Sequence, residues 1–183
     1  MYWYFALVGL VALERVAELV VSRRNLAWSM ARGAVESGRG HYPPMVVLHV
    51  GLLVACVLEV AFGDRPFLPG LGWTMVALVV AAQALRWWCI TALGPHWNTR
   101  VVVVPGLPLV RRGPYRLTRL RHPNYVAVAV EGFALPLVHG AWVTALAFTA
   151  LNAALMIVRI RCESAALATA ASTTAPAPAP TAT

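Results

Sequence analysis

The 183-residue chain contains no lysine: all fifteen basic residues are arginine, set against seven acidic ones. Charge is scarce altogether, at 12% of residues where a soluble domain carries about a quarter. That scarcity excludes an ordinary water-soluble domain, and a hydrophobic content of 60% assigns the chain to a bilayer. Cysteine is sparse too. Cys56, Cys89 and Cys162 are odd in number and irregularly spaced, which excludes a disulfide framework and a zinc site and leaves buried packing as their role. Also missing is any strand followed by G-x-G-x-x-G, so there is no Rossmann dinucleotide domain.

What is present is a set of long apolar runs. A helix needs about 20 apolar residues to cross a core about 30 Å thick. Four stretches qualify, roughly 2–22, 43–62, 71–93 and 141–160, and a shorter fifth runs over 123–138. Glu14, Arg15 and Glu18 interrupt the first, and no A-x-A cleavage site follows, so it is expected to be a mature helix and not a signal peptide. The tight His139-Gly140 turn predicts that the last two spans form an antiparallel hairpin. The expected fold is therefore an all-α polytopic membrane bundle of about five helices over residues 1–167. Residues 168–183, an Ala/Thr/Pro tract, are expected to form a disordered tail.

A net charge of +8 raises the question of nucleic acid, and the placement of the charge answers it. Arg23, Arg24, Arg32 and Arg39 lie between spans one and two, Arg100 to Arg121 between spans three and four, and Arg159 and Arg161 close the last span. The loop between spans two and three has only Arg65, beside Asp64. This is the positive-inside asymmetry, which predicts an outside N-terminus and a cytoplasmic C-terminus.

Ionisable groups at membrane depth face the bundle interior or a wet cavity, with a partner. Arg15, three residues before Glu18, is expected to pair with it and orient the first helix. In the last span Asn152, Met156, Arg159 and Glu163 are spaced by four, three and four, which puts them in one stripe. Between spans three and four, residues 92–125 carry repeated Gly-Pro breaks around an extended run, Val101 to Val104. Such irregular backbone is tolerated in membrane proteins where it lines a cavity. Pro123 suits the first turn of the helix that follows, and Tyr125 sits within that turn, its hydroxyl within reach of an interfacial ligand. Two histidines eight apart, His41 and His49, make a poor metal site, and His96 and His139 read as interfacial polar residues.

Gly113-Pro114-Tyr115-Arg116, then Arg121-His122-Pro123-Asn124-Tyr125, then Arg159-Ile160 and Glu163 resemble, in order and topology, the isoprenylcysteine carboxyl methyltransferase family. The segments SRRN (22–25) and HYPPMVVLH (41–49) look like a bacterial branch found beside type III polyketide synthases and thought to O-methylate alkylpyrones. The resemblance covers roughly residues 10–167. It implies an S-adenosylmethionine-dependent O-methyltransferase of a bacterial cytoplasmic membrane, with Arg121, His122, Pro123, Tyr125 and Glu163 holding the cofactor and Arg159 and Glu163 bridging to the acceptor. It further implies a lipophilic acceptor, an alkylpyrone or an isoprenylcysteine-like carboxylate, entering laterally from membrane lipids along a path that includes His41, Tyr42 and His49. Two departures stand out. The spacing between the GPYR and RHPNY elements is two residues longer than usual, and Ser164 stands where the family often has a second acid. Membrane sterol-type reductases using NADPH share a similar His-Pro-x-Tyr, and a non-catalytic membrane subunit is the third class the pattern admits.

Overall fold

The computed structural model describes residues 1–108, 110–116 and 122–173. Five helices carry the fold: α1 (Tyr2–Met30), α2 (Tyr42–Phe62), α3 (Pro69–Leu93), α4 (Pro123–Leu137) and α5 (Trp142–Thr173). Proline sets the start of three of them, in the first turn of α2, α3 and α4, where the missing N–H is not needed. The segments Arg39–Phe62, Pro69–His96 and Trp142–Ala170 are long and apolar enough to cross a membrane by length and composition.

The other two helices depart from that simple picture for physical reasons. The first, α1, has 29 residues, about 43 Å at about 1.5 Å per residue, so it outruns the hydrocarbon core and carries Arg23 and Arg24 within the helix instead of in a loop. The fourth, α4, has 15 residues and is short because it is an inner helix, with Ala127, Gly132, Ala134, Leu135 and Pro136 all buried. Large apolar residues instead cover the outside, among them Leu10, Val47, Val80, Leu146 and Leu151, as a lipid solvent permits. Helix α5 runs six residues beyond the expected boundary at Leu167, because its continuation, Ala168–Thr173, is rich in alanine, the strongest helix former. The rest of the tail lies outside the described residues.

At the end of the bundle holding the N-terminus, Tyr4, Leu52, Cys56, Val60, Val79, Leu135 and Phe148 form the apolar core. The Tyr4 hydroxyl donates to the Leu135 carbonyl at 3.2 Å. The α4–α5 hairpin turns at Gly140, whose φ of 71° is the left-handed region glycine occupies without strain. Above the turn, Gly132 lets the two helices close up: a Cβ there would overlap the Phe148 ring. His139, expected at an interface, is buried in an aromatic cluster with Trp3, Tyr4 and Phe67.

Midway along the bundle an ionic network ties α1, α3 and α4. The expected Arg15–Glu18 pair is present at 2.7 Å, and Arg15 also bonds Glu131 at 2.6 Å. Arg86 bonds Glu131 at 2.6 Å and lies 3.4 Å from Glu18. Gln83 and Trp87 hold Glu14. Arg86 and Glu131, each the lone charge in its span, are not singled out by the sequence reading, although an isolated ionisable residue in an apolar run is itself the signal.

At the opposite end, β1 (Val35–Ser37) pairs antiparallel with β2 (Val101–Val103), Glu36 opposite Val102. The extended run is thus a strand whose partner comes from the first interhelical loop. Glu36 accepts from Arg100 at 2.9 Å and pairs with Arg39 at 3.3 Å. That hydrogen bond to Glu36 is the main reason the Arg100 guanidinium is held above its ordinary value.

Candidate functional site

The site begins where α4 begins. His122 occupies the N-cap position with φ −134° and ψ 64°, and its ring stacks on that of Tyr125, centroids 5.2 Å apart and planes 21° from parallel. Tyr125 is buried, and its phenol oxygen accepts a bond from Arg159 Nε at 2.9 Å while its hydroxyl donates to Glu163. Glu163 Oε2 also lies 3.9 Å from His122 Nδ1. The four-residue spacing of Arg159 and Glu163 on α5 presents both to one side of the helix, and one tyrosine from α4 links them. The predicted stripe continues toward the core as Asn152 Nδ2 donating to Met156 Sδ. Arg161 is exposed, away from this cluster.

Two cavities meet at these residues. The larger, about 840 Å³, lies beneath β2 and is walled by Val101 to Val104, Tyr115, His122, Glu163 and Leu167. Its size is in the range of small-molecule and cofactor sites, about 300–1,000 Å³. Burial and the neighbouring Cys89 thiol hold the Tyr115 phenol well above its ordinary value, so it stays neutral. The smaller cavity, about 170 Å³, runs into the bundle among Leu19, Met45, Val46, Val50 and Leu53, with His41, Tyr42 and His49 in its wall. Trp97, Asn98, Asn124, Tyr125 and Arg159 line both. They form the partition between a larger chamber and a smaller, more apolar one.

The loop in that partition is fastened to α1. Asn25 Nδ2 donates to the carbonyls of Gly94 at 3.1 Å and Trp97 at 2.7 Å, and Ser22 Oγ accepts from the Thr99 backbone N–H at 3.0 Å. Ser22 and Asn25 open and close the SRRN segment, so its physical task is to fix this loop.

Of the predicted site residues, His122, Pro123, Tyr125, Arg159 and Glu163 come together, and His41, Tyr42 and His49 gather along the second cavity. Arg121 lies outside the described residues, as does the two-residue expansion after Arg116. Ser164 lines the larger cavity beside Glu163. The sequence reading gives Trp97, Asn98 and Asn124 no role. The first two sit in an ordinary-looking loop and the third in the first turn of α4, and only packing reveals that Trp97 Nε1, both amide atoms of Asn98 and Asn124 Oδ1 are buried with no hydrogen-bond partner among the described residues.

Residues 75–169 match the isoprenylcysteine carboxyl methyltransferase (ICMT) family. The uncharacterized protein YpbQ of Bacillus subtilis (strain 168) is 37% identical over 168 residues, spanning 91% of this chain and 96% of its own. An uncharacterized protein of Haemophilus influenzae is 25% identical over 154 residues, spanning 84% of this chain and 88% of its own. No solved structure matches the chain. The chain belongs to the isoprenylcysteine carboxyl methyltransferase family, a family of membrane methyltransferases.

Proposed function

We propose that the protein is an S-adenosylmethionine-dependent O-methyltransferase of a lipophilic acceptor, with the donor held in the larger cavity and the acceptor in the smaller one. The observation that carries this reading is the shared wall of Trp97, Asn98, Asn124, Tyr125 and Arg159. The residues present fit such a donor. Glu163 offers a carboxylate to a cation, β2 and Leu167 offer apolar surface to a flat ring, and His122, Tyr115 and Tyr125 offer aromatic faces. When bound, S-adenosylmethionine supplies an electrophilic methyl group on a sulfonium.

The chain's own contribution is alignment. Arg159 orients an anionic acceptor oxygen by a charge-assisted contact, a carboxylate or the enolate of an alkylpyrone. Tyr125 fixes the guanidinium against α4, and Glu163 balances positive charge in the partition. His122 holds the edge of the chamber by stacking and takes no proton, because the acceptor oxygen arrives ionised.

The acceptor's apolar tail enters from the bilayer between α1 and α2. Leu19 on α1 and Val46 and Val50 on α2 line the smaller cavity and are also exposed on the lipid-facing surface. The arginine asymmetry supports a cytoplasmic donor chamber and an outside N-terminus in a bacterial cytoplasmic membrane. An upstream type III polyketide synthase is the proposed source of a pyrone acceptor. Replacing Arg159 with alanine tests the reading: turnover of acceptor is lost while donor binding, measured by equilibrium dialysis, persists. Full activity of that variant contradicts it.

A further inference from the structure

We propose that Asn98 selects the acceptor headgroup. Its side-chain amide bonds a second headgroup oxygen, beside the one that receives the methyl group, so the site prefers headgroups with two neighbouring oxygens over a lone phenol or alcohol on the same tail. This rests on the proposed methyl transfer and deepens it.

Both amide atoms of Asn98 are buried and have no hydrogen-bond partner among the described residues. An amide held that way is expensive, and a native structure that keeps one calls for an explanation. Relaxation of the loop does not supply one, because the backbone on both sides is pinned: the Trp97 carbonyl by Asn25, the Thr99 N–H by Ser22. A ligand does once the side-chain amide, which has almost no accessible surface here, turns about its own torsions into one of the cavities that Asn98 lines.

Its neighbours in the partition point the same way. Trp97 Nε1 is a buried donor without an acceptor among the described residues. Arg159 uses two of its five N–H donors, on the Tyr125 oxygen and the Met45 sulfur, and among the described residues no carboxylate lies within ion-pair distance of it. The wall thus offers a cation for one oxygen and neutral donors for another. A headgroup with a single oxygen satisfies Arg159 and leaves the amide unpaired, which is the asymmetry that gives polar sites their discrimination. Ser22 and Asn25 are positioning residues for this contact.

The test uses the full-length protein in nanodiscs, labelled S-adenosylmethionine, and two probes sharing a pentadecyl tail and both ionised at neutral pH: 4-hydroxy-6-pentadecyl-2-pyrone and 2,3,5,6-tetrafluoro-4-pentadecylphenol. In Asn98→Leu the KM for the pyrone rises about tenfold or more, as loss of a recognised polar contact requires, and the pyrone-to-phenol preference in kcat/KM falls by a similar factor. Binding of the pyrone without donor, followed by tryptophan fluorescence, weakens by the same factor. An unchanged pyrone-to-phenol preference overturns the inference while leaving methyl transfer intact. Should Asn98→Leu not fold, Asn98→Ser is judged by the same ratio. Wild-type protein that binds donor and methylates neither probe contradicts the proposed function and this inference together.

Discussion

Arg159 Nε donates to the phenol oxygen of Tyr125 at 2.9 Å, joining α5 to the first turn of α4. The same hydroxyl donates to Glu163, so one oxygen sets the spacing of a cation and an anion that do not otherwise touch. We predict that Tyr125→Phe, which keeps the ring stacked on His122 and removes only the hydroxyl, lowers kcat/KM about 10- to 100-fold, the scale of a misplaced positioning contact. Its melting temperature stays close to wild type. A methyl-transfer assay alongside a thermal melt in detergent checks both halves.

The Arg15–Glu18–Arg86–Glu131 network yields a stability prediction with a sign test. Arg86 and Glu131 are both buried and bond at 2.6 Å, and removing Arg86 leaves two buried carboxylates, Glu18 and Glu131, to share Arg15 alone. Arg86→Met is predicted to cost about 3–5 kcal/mol. Arg86→Met combined with Glu131→Leu recovers much of that, because the surplus carboxylate goes with its partner and Arg15 keeps Glu18. Thermal unfolding of both variants decides it. A double variant no more stable than the single one contradicts the account.

The close approach of α4 and α5 is a separate prediction. Gly132→Ala places a methyl group where the buried Phe148 ring lies. Overpacking of this kind costs about 1–3 kcal/mol, seen as a lower melting temperature. Pairing it with Phe148→Leu, which withdraws the ring, relieves the loss.

Loop fastening predicts a joint loss. Asn25→Ala frees the carbonyls of Gly94 and Trp97 and loosens the loop bearing Trp97 and Asn98. That loop walls both cavities, so the acceptor KM rises several-fold and donor affinity falls with it. A thermal melt of the same preparation, unchanged from wild type, separates this from general destabilisation.

Much of this was legible in the chain itself. Apolar runs, their proline starts and the His139-Gly140 turn specify the helices and the hairpin, because a bilayer leaves few alternatives for a stretch that long. The four-three-four spacing from Asn152 to Glu163 fixes a shared face on α5, and Tyr125 in the first turn of α4 meets it. What stayed hidden depends on which surfaces face each other. β1 is three residues long with no alternation to betray it, and it becomes a strand only because β2 lies alongside. That Arg86 finds Glu131 across 45 positions is decided by the inner placement of α4. Asn98 looks like any loop asparagine until packing strips its amide of partners.

The most direct measurement is to incubate membranes containing the protein with methyl-labelled S-adenosylmethionine and to extract the lipids for mass analysis. The account predicts a labelled, methylated lipophilic product from wild type and none from Arg159→Ala, with donor bound equally by both. Donor that fails to bind the wild-type protein, or label in the extract that is unaffected by Arg159→Ala, contradicts it.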